Sequence, residues 1–287
     1  MSLSRHGSGP AAWLRAYGSQ VHPVFMLPPL ATSLFGALLA GYVDPSVAVV
    51  HLVAIFAAVY TAHLKDGYID FHIRSEDEDH PLTRRGCRLG LGGSTALFVV
   101  ACIVLWYLAG GVALVLTAPT WMIAYGHAPQ LDTTTVGATL GYPVGIGLAL
   151  LGGFAAQSAT ATAQPLAFAM VFVVLLSGIK VIDDAQDVAF DRAIGKPTVA
   201  VMVGTDRAIA SAYATMAVGL TAVIALAFLR VFPLSSVIAV LAFVPVAWVA
   251  RRAPPTLATM LLVRATYVFL AVLVVAVWFE PLEPIRP

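Results

Sequence analysis

The sequence predicts an all-α, polytopic membrane protein of nine transmembrane helices in a single domain, 1–287. Three observations carry that prediction. The chain is 60% hydrophobic and only 11% charged, whereas soluble domains carry about 25% charged residues. Apolar runs approaching the roughly 20 residues a helix needs to cross a bilayer core recur along the whole length. Lys and Arg gather in segments that share one membrane face once nine spans are drawn.

Taken in order, the opening MSLSRHGSGPAAWLRAYGSQ lacks the contiguous apolar region of a signal peptide. It reads as an interfacial lead-in, with Trp13, Arg15 and Tyr17 at headgroup level. Apolar runs at 23–42 and 46–64 supply the first two helices, and a polar loop, 65–88, follows. Runs at 89–108, 110–127, 137–155 and 164–182 supply the next four. A second polar loop, 183–207, precedes the last three, at 208–228, 232–250 and 258–278. Gly and Pro inside these runs are tolerated in membrane helices.

With nine spans, the N-terminus, both polar loops and the loop after the eighth helix lie on one side. That side holds thirteen of the sixteen Lys and Arg residues. Arg230 and Arg286 lie opposite, and Arg264 falls within the last span. The positive-inside rule makes the crowded side cytoplasmic, in a cell membrane. A net charge of +1 gives no electrostatic case for nucleic acid. Cys87 adjoins a basic cluster and Cys102 lies in an apolar run, so a disulfide framework is not expected.

The polar loops carry the chemistry. In VIDDAQDVAFDR, residues 181–192, Asp183, Asp187 and Asp191 are spaced by four. Four residues of α-helix advance about 400° and about 6 Å, so these carboxylates form one drifting stripe. Like charges at that spacing repel by a few tenths of a kcal/mol per pair. A divalent cation reverses the sign, since carboxylate oxygens are natural Mg²⁺ ligands; a solvated helix end is the alternative. The first loop repeats the pattern with Asp66 and Asp70, followed four residues later by Arg74. Both clusters follow an even-numbered helix and emerge on the same face. Two such stripes across a helical cavity suit a diphosphate held through Mg²⁺, which binds one or two carboxylates plus substrate phosphates.

These motifs resemble those of the UbiA superfamily of intramembrane prenyltransferases. DDAQDVAFDRAIGKPTVAVMVG, residues 183–204, is similar to the family's second motif, including Asp191-Arg192, Gly195 and Thr198. The first motif is looser: Asp66 stands where Asn is usual, Asp70 fits, and Arg74 replaces the last Asp. DHPL, 79–82, resembles the family's D-R-P-I segment with His80 for Arg, and 21–41 resembles its first helix. The resemblance spans nearly the whole chain and implies nine helices around a central cavity, with both motifs on the cytoplasmic side.

It further implies Mg²⁺-dependent transfer of a prenyl group from an allylic isoprenyl diphosphate to a lipophilic acceptor: a quinone precursor, an ether-lipid precursor or a carotenoid. Asp66, Asp70, Asp183, Asp187 and Asp191 are the implied metal ligands. Asp70, Asp187, Lys180 and Arg192 are catalytic candidates, with Lys180, Arg192 and Arg74 on diphosphate oxygens. Tyr68 is a candidate cation–π contact to the carbocation. Tyr125 resembles a tyrosine common in the family, and His22 and His127 are candidate acceptor contacts. Membrane lipid is an expected partner, and the oligomeric state stays open. A terpene cyclase would use the same diphosphate machinery without an acceptor. An ion transporter would place its acids at mid-membrane, whereas these gather at helix ends.

Overall fold

A computed structural model describes residues 2–160 and 162–282; Arg286 lies outside the described residues. Among these residues the chain is helical, apart from turns and one antiparallel bridge between Ser4 and Leu82. The helices are α1 (Pro10–Gly18), α2 (Pro23–Leu39), α3 (Pro45–Ile69), α4 (Arg84–Ala109), α5 (Gly111–Gly126) and α6 (Thr135–Gln157), then α7 (Ala163–Asp184), α8 (Val188–Ala193), α9 (Val199–Val203), α10 (Thr205–Phe228), α11 (Val237–Ala250) and α12 (Pro255–Phe279).

Helix starts follow local chemistry. Proline, whose missing N–H costs nothing in a first turn, opens α2, α3 and α12. Asp44, Thr83 and Thr134 accept backbone N–H groups at the starts of α3, α4 and α6. Each of the nine apolar runs contains one long helix, but the helices differ in reach. Six are long and apolar enough to cross a membrane: α3, α4, α6, α7, α10 and α12. The pair α1 and α2, bent by 69°, counts as a seventh if taken as one span. At 1.5 Å per residue, the 16 residues of α5 reach about 24 Å and those of α11 less, short of a hydrocarbon core of about 30 Å. The expectation of nine spans is therefore matched by six or seven on length and composition.

The outer faces of the bundle are apolar. Val100, Trp106, Val112, Val115 and Phe228 are more than half exposed, a surface suited to lipid rather than water. This is an integral membrane protein. Inside, Phe168 stacks on Phe232 with ring centroids 3.7 Å apart, and Phe269 packs edge-on against Phe172 and Phe243. Where α2 meets α6, small residues bring the backbones together. A Cβ on Gly36 would stand 1.9 Å from the Leu150 carbonyl oxygen, and one on Gly153 2.1 Å from that of Ser33.

Two prolines shape the start of α2. Pro28 and Pro29 have no N–H to offer the carbonyls four residues back, those of Val24 and Phe25. Tyrosines from two other helices take them up. The Tyr267 hydroxyl of α12 donates to Val24 O, and the Tyr142 hydroxyl of α6 donates to Phe25 O at 3.3 Å. The first turns of α2 are thus tied to both neighbours, where α2 borders the main cavity.

Tyr17 is tied to the start of α4: its hydroxyl donates to Gly86 O at 2.8 Å. Both cysteines are buried free thiols.

Candidate active site

A cavity of about 650 Å³ lies at one end of the bundle, within the range of small-molecule sites. The C-terminal halves of α3, α5 and α7 and the N-terminal halves of α2, α6 and α12 line it. Alternating helix direction therefore brings both aspartate motifs to one end. Asp66 and Asp70 from α3 and its extension share the cavity with Lys180 and Asp183 from α7. Deeper in, the wall is apolar, with Pro29, Ile55, Val59, Ile146 and Leu176. Asp77 and Asp79 also line it, and five carboxylates opening on one space form a hard-oxygen donor set of the kind that suits Mg²⁺, so the residues present fit that ion.

The first motif stays helical past the predicted loop boundary. Beyond Ile69 the chain widens into a π-helical turn, Asp70–Arg74, which ends at Ser75 in a left-handed conformation with φ 57°. Such turns are frequent at functional sites. Arg74 does not point at free solvent. Its guanidinium donates to Asp132 Oδ2 at 2.8 Å and lies 3.5 Å from Asp70 Oδ1.

The second motif departs from the expected stripe. Helix α7 stops at Asp184, and the chain turns before α8 begins at Val188. Asp183, Asp187 and Asp191 therefore do not share one helix face, which corrects the spacing argument. Asp183 faces the cavity, Asp187 is exposed at the start of α8, and Asp191 is buried on a 3.3 Å ion pair with Lys196. Lys180 bonds Asp183 at 3.1 Å and the buried Asp184 at 2.5 Å, and Lys196 lies 3.9 Å from the same Asp184. The buried pairs hold the turn together: two lysines answer Asp184 and Asp191, so neither carboxylate is left as an isolated buried charge. Gly195, at φ 73°, makes a left-handed turn open mainly to glycine, and Thr198 then caps α9 through Val201 N. Arg192 is exposed on α8.

Other sequence candidates are distributed around this core. His22 lines the cavity, stacked on His63 with centroids 4.9 Å apart, and His127 lines it too. Tyr125 carries the Lys65 ammonium 3.9 Å over its ring. Tyr68 lies away from the cavity lining, packed with Ala16, Leu64 and Leu82. Sequence reasoning passed over Asp132, Asp184 and His63. Asp132 closes the stretch YGHAPQLD, residues 125–132, which runs out of α5 at the end of the bundle where both motifs lie, and that shared end was the available signal. Burial lowers the His80 pKa below the ordinary histidine value and favours the neutral ring.

A model of the UbiA prenyltransferase family matches residues 29–261. A search of curated proteins returns no match. Among solved structures, a digeranylgeranylglyceryl phosphate synthase is 12% identical, with TM-score 0.70 over 92% of this chain and 97% of that one. A UbiA homolog from Aeropyrum pernix K1 is 17% identical, with TM-score 0.70 over 89% and 98%. A UbiA homolog from Archaeoglobus fulgidus bound to DMAPP and Mg²⁺ is 16% identical, with TM-score 0.68 over 93% and 99%. At these identities the structures establish the fold alone. The family match runs from within α2 into α12, takes in both aspartate motifs and reaches every helix that lines the cavity, and the chain belongs to the UbiA prenyltransferase family.

Proposed function

We propose that the chain transfers a prenyl group from an allylic isoprenyl diphosphate to a lipophilic acceptor, releasing diphosphate. The observation that carries this is one cavity with Asp66, Asp70, Asp183 and Lys180 together and an apolar interior beyond them. The related structure bound to DMAPP and Mg²⁺ supports the donor class. For the membrane arrangement we propose nine spans, α5 and α11 being short ones, with both motifs facing the cytoplasm, as the Lys and Arg distribution favours.

We assign Asp66, Asp70 and Asp183 as the residues that hold Mg²⁺, with Asp187 flanking them. Asp191, paired with Lys196, has a supporting role in this assignment. Bound Mg²⁺ supplies neutralisation of the charge that develops on the departing diphosphate. Lys180 adds a fixed positive charge on the same wall. The apolar interior takes the prenyl tail and keeps water from the allylic cation. His22, His63 and His127 face the same space; they contact the acceptor head group in this reading, and the His22–His63 pair takes the proton that the acceptor releases. Tyr125 acts through the Lys65 it carries.

The test is to incubate the purified protein, in detergent with membrane lipid, with labelled allylic diphosphates of graded length and candidate acceptors. A prenylated acceptor formed only with both substrates is expected. A cyclic product from the diphosphate alone would make the chain a cyclase, and no consumption of any allylic diphosphate would end the proposal.

A further inference from the structure

At the edge of the aspartate cavity, whose wall includes His80, three softer ligands converge. His72 lies in the π-helical turn after α3, His80 in the loop that follows, and Cys87 in the first turn of α4. One ring nitrogen of each histidine and the Cys87 Sγ all lie within 4.8 Å of one another. His80 and Cys87 are buried and His72 is half-buried. From these positions we infer that His72, His80 and Cys87 form a second metal site, selective for a thiolate- and imidazole-seeking divalent cation of the Zn²⁺ class.

The ligand chemistry separates this site from the carboxylate cavity. One sulfur and two imidazole nitrogens suit Zn²⁺ and related transition metals, whereas Mg²⁺ prefers oxygen. The surroundings of the imidazoles also fit. His72 Nε2 lies 3.2 Å from the Leu82 carbonyl oxygen, and His80 Nε2 lies 3.2 Å from Gln20 Oε1. In the tautomer that donates Nε2–H to those oxygens, Nδ1 keeps the lone pair in each ring, the arrangement that orients metal-binding histidines. His80 Nδ1 lies 3.2 Å from Leu82 N–H and 3.3 Å from the Leu82 carbonyl oxygen, so metal binding there displaces the Leu82 backbone from this nitrogen. The Cys87 thiol proton leaves to solvent on binding. Three protein ligands leave a fourth tetrahedral position for water.

Such a metal joins three segments that already meet, through Arg84 on the His72 carbonyl oxygen at 3.0 Å and through the buried Leu82 and Cys87. The loop from Ser75 to Thr83 is held by the N-terminal segment, through Arg5 N–H on Pro81 O at 2.8 Å and Thr83 N–H on Leu3 O at 3.0 Å. It carries Asp77 and Asp79, which border the cavity. A cation on His72, His80 and Cys87 would fix this loop against α4, two residues from Asp70. The inference does not depend on the prenyl-transfer reading, because its readout is spectroscopic.

The test is a Co²⁺ titration of the full chain in detergent after removal of bound metal. A thiolate-to-cobalt charge-transfer band that saturates at one equivalent is expected. Cys87→Ser should abolish it, His80→Gln should weaken binding at least tenfold, and Cys102→Ser and Asp183→Asn should leave it. Zinc-edge X-ray absorption on the wild-type chain avoids reliance on a variant that fails to fold; a shell with one sulfur and two imidazoles is expected. A wild-type protein without the band, a band that survives in Cys87→Ser, or a zinc shell without sulfur overturns the inference, leaving the three side chains as packing partners.

Discussion

The Arg74 guanidinium donates to the Asp132 carboxylate at 2.8 Å, joining the π-helical turn after α3 to the short connection between α5 and α6. Side-chain exposure is 16% for Arg74 and 9% for Asp132, so neither charge is well solvated. The same guanidinium lies 3.5 Å from Asp70. Asp132 thus steadies, through Arg74, a carboxylate assigned to the metal.

We expect Arg74→Ala to destabilise the protein by about 3 kcal/mol, the lower part of the range for leaving a buried partner uncompensated. Arg74→Lys should recover only part, because an ammonium cannot span two carboxylates as the planar fork does. The check is a thermal-melt cycle of Arg74→Ala, Asp132→Ala and the double variant. A coupling of about 1 kcal/mol or more is expected, and simply additive losses would show that the pair is not linked.

Metal dependence should follow the cavity rather than the sequence stripe. Chelation should abolish prenyl transfer, and Asp66→Ala or Asp183→Ala should lower kcat/KM by about 10²-fold or more, the scale of losing one transition-state charge stabiliser. Asp191→Ala should chiefly lower the melting temperature, since it removes the nearer partner of Lys196 and leaves it only the more distant Asp184. Full turnover in excess chelator, or an Asp183→Ala enzyme as fast as wild type, would contradict the assignment.

Tyr142→Phe should cost about 1 kcal/mol, the net worth of a neutral hydrogen bond, by leaving the Phe25 carbonyl unanswered in front of Pro29. Because this tie borders the cavity, the variant should also raise KM for the donor. An unchanged melt and an unchanged KM would mean that the first turns of α2 hold their position without it.

Gly153→Ala places a methyl 2.1 Å from the Ser33 carbonyl oxygen, a contact with backbone that no side-chain rotation relieves. The helices α2 and α6 must separate, and we expect a loss of about 1–3 kcal/mol, as for other overpacked sites. Gly93, with nothing within 4 Å of its Cβ position, is the control: Gly93→Ala should melt at or above the wild-type temperature. Equal behaviour of the two variants would remove close helix approach as the reason for Gly153.

The sequence by itself determined the class of the protein and the identity of most residues at its centre. Apolar runs specify membrane helices because a bilayer offers the backbone no hydrogen-bond partner. Local rules also reach Gly195 and Thr198, whose left-handed turn and helix cap depend on near neighbours. Asp66, Asp70, Lys180 and Asp183 were legible because helix ends on one face are brought together by alternating helix direction. Only the tertiary structure decided where the second stripe breaks. Spacing by four implies a shared face only while the helix continues, and α7 ends at Asp184, with Lys180 and Lys196 pairing the buried acids there. The partner of Arg74 was equally out of reach: Asp132 is 58 residues away in sequence, and no periodicity links positions joined only by packing. The same holds for His63 on His22, and for α5 and α11, whose apolar runs look like full spans although the folded helices end sooner.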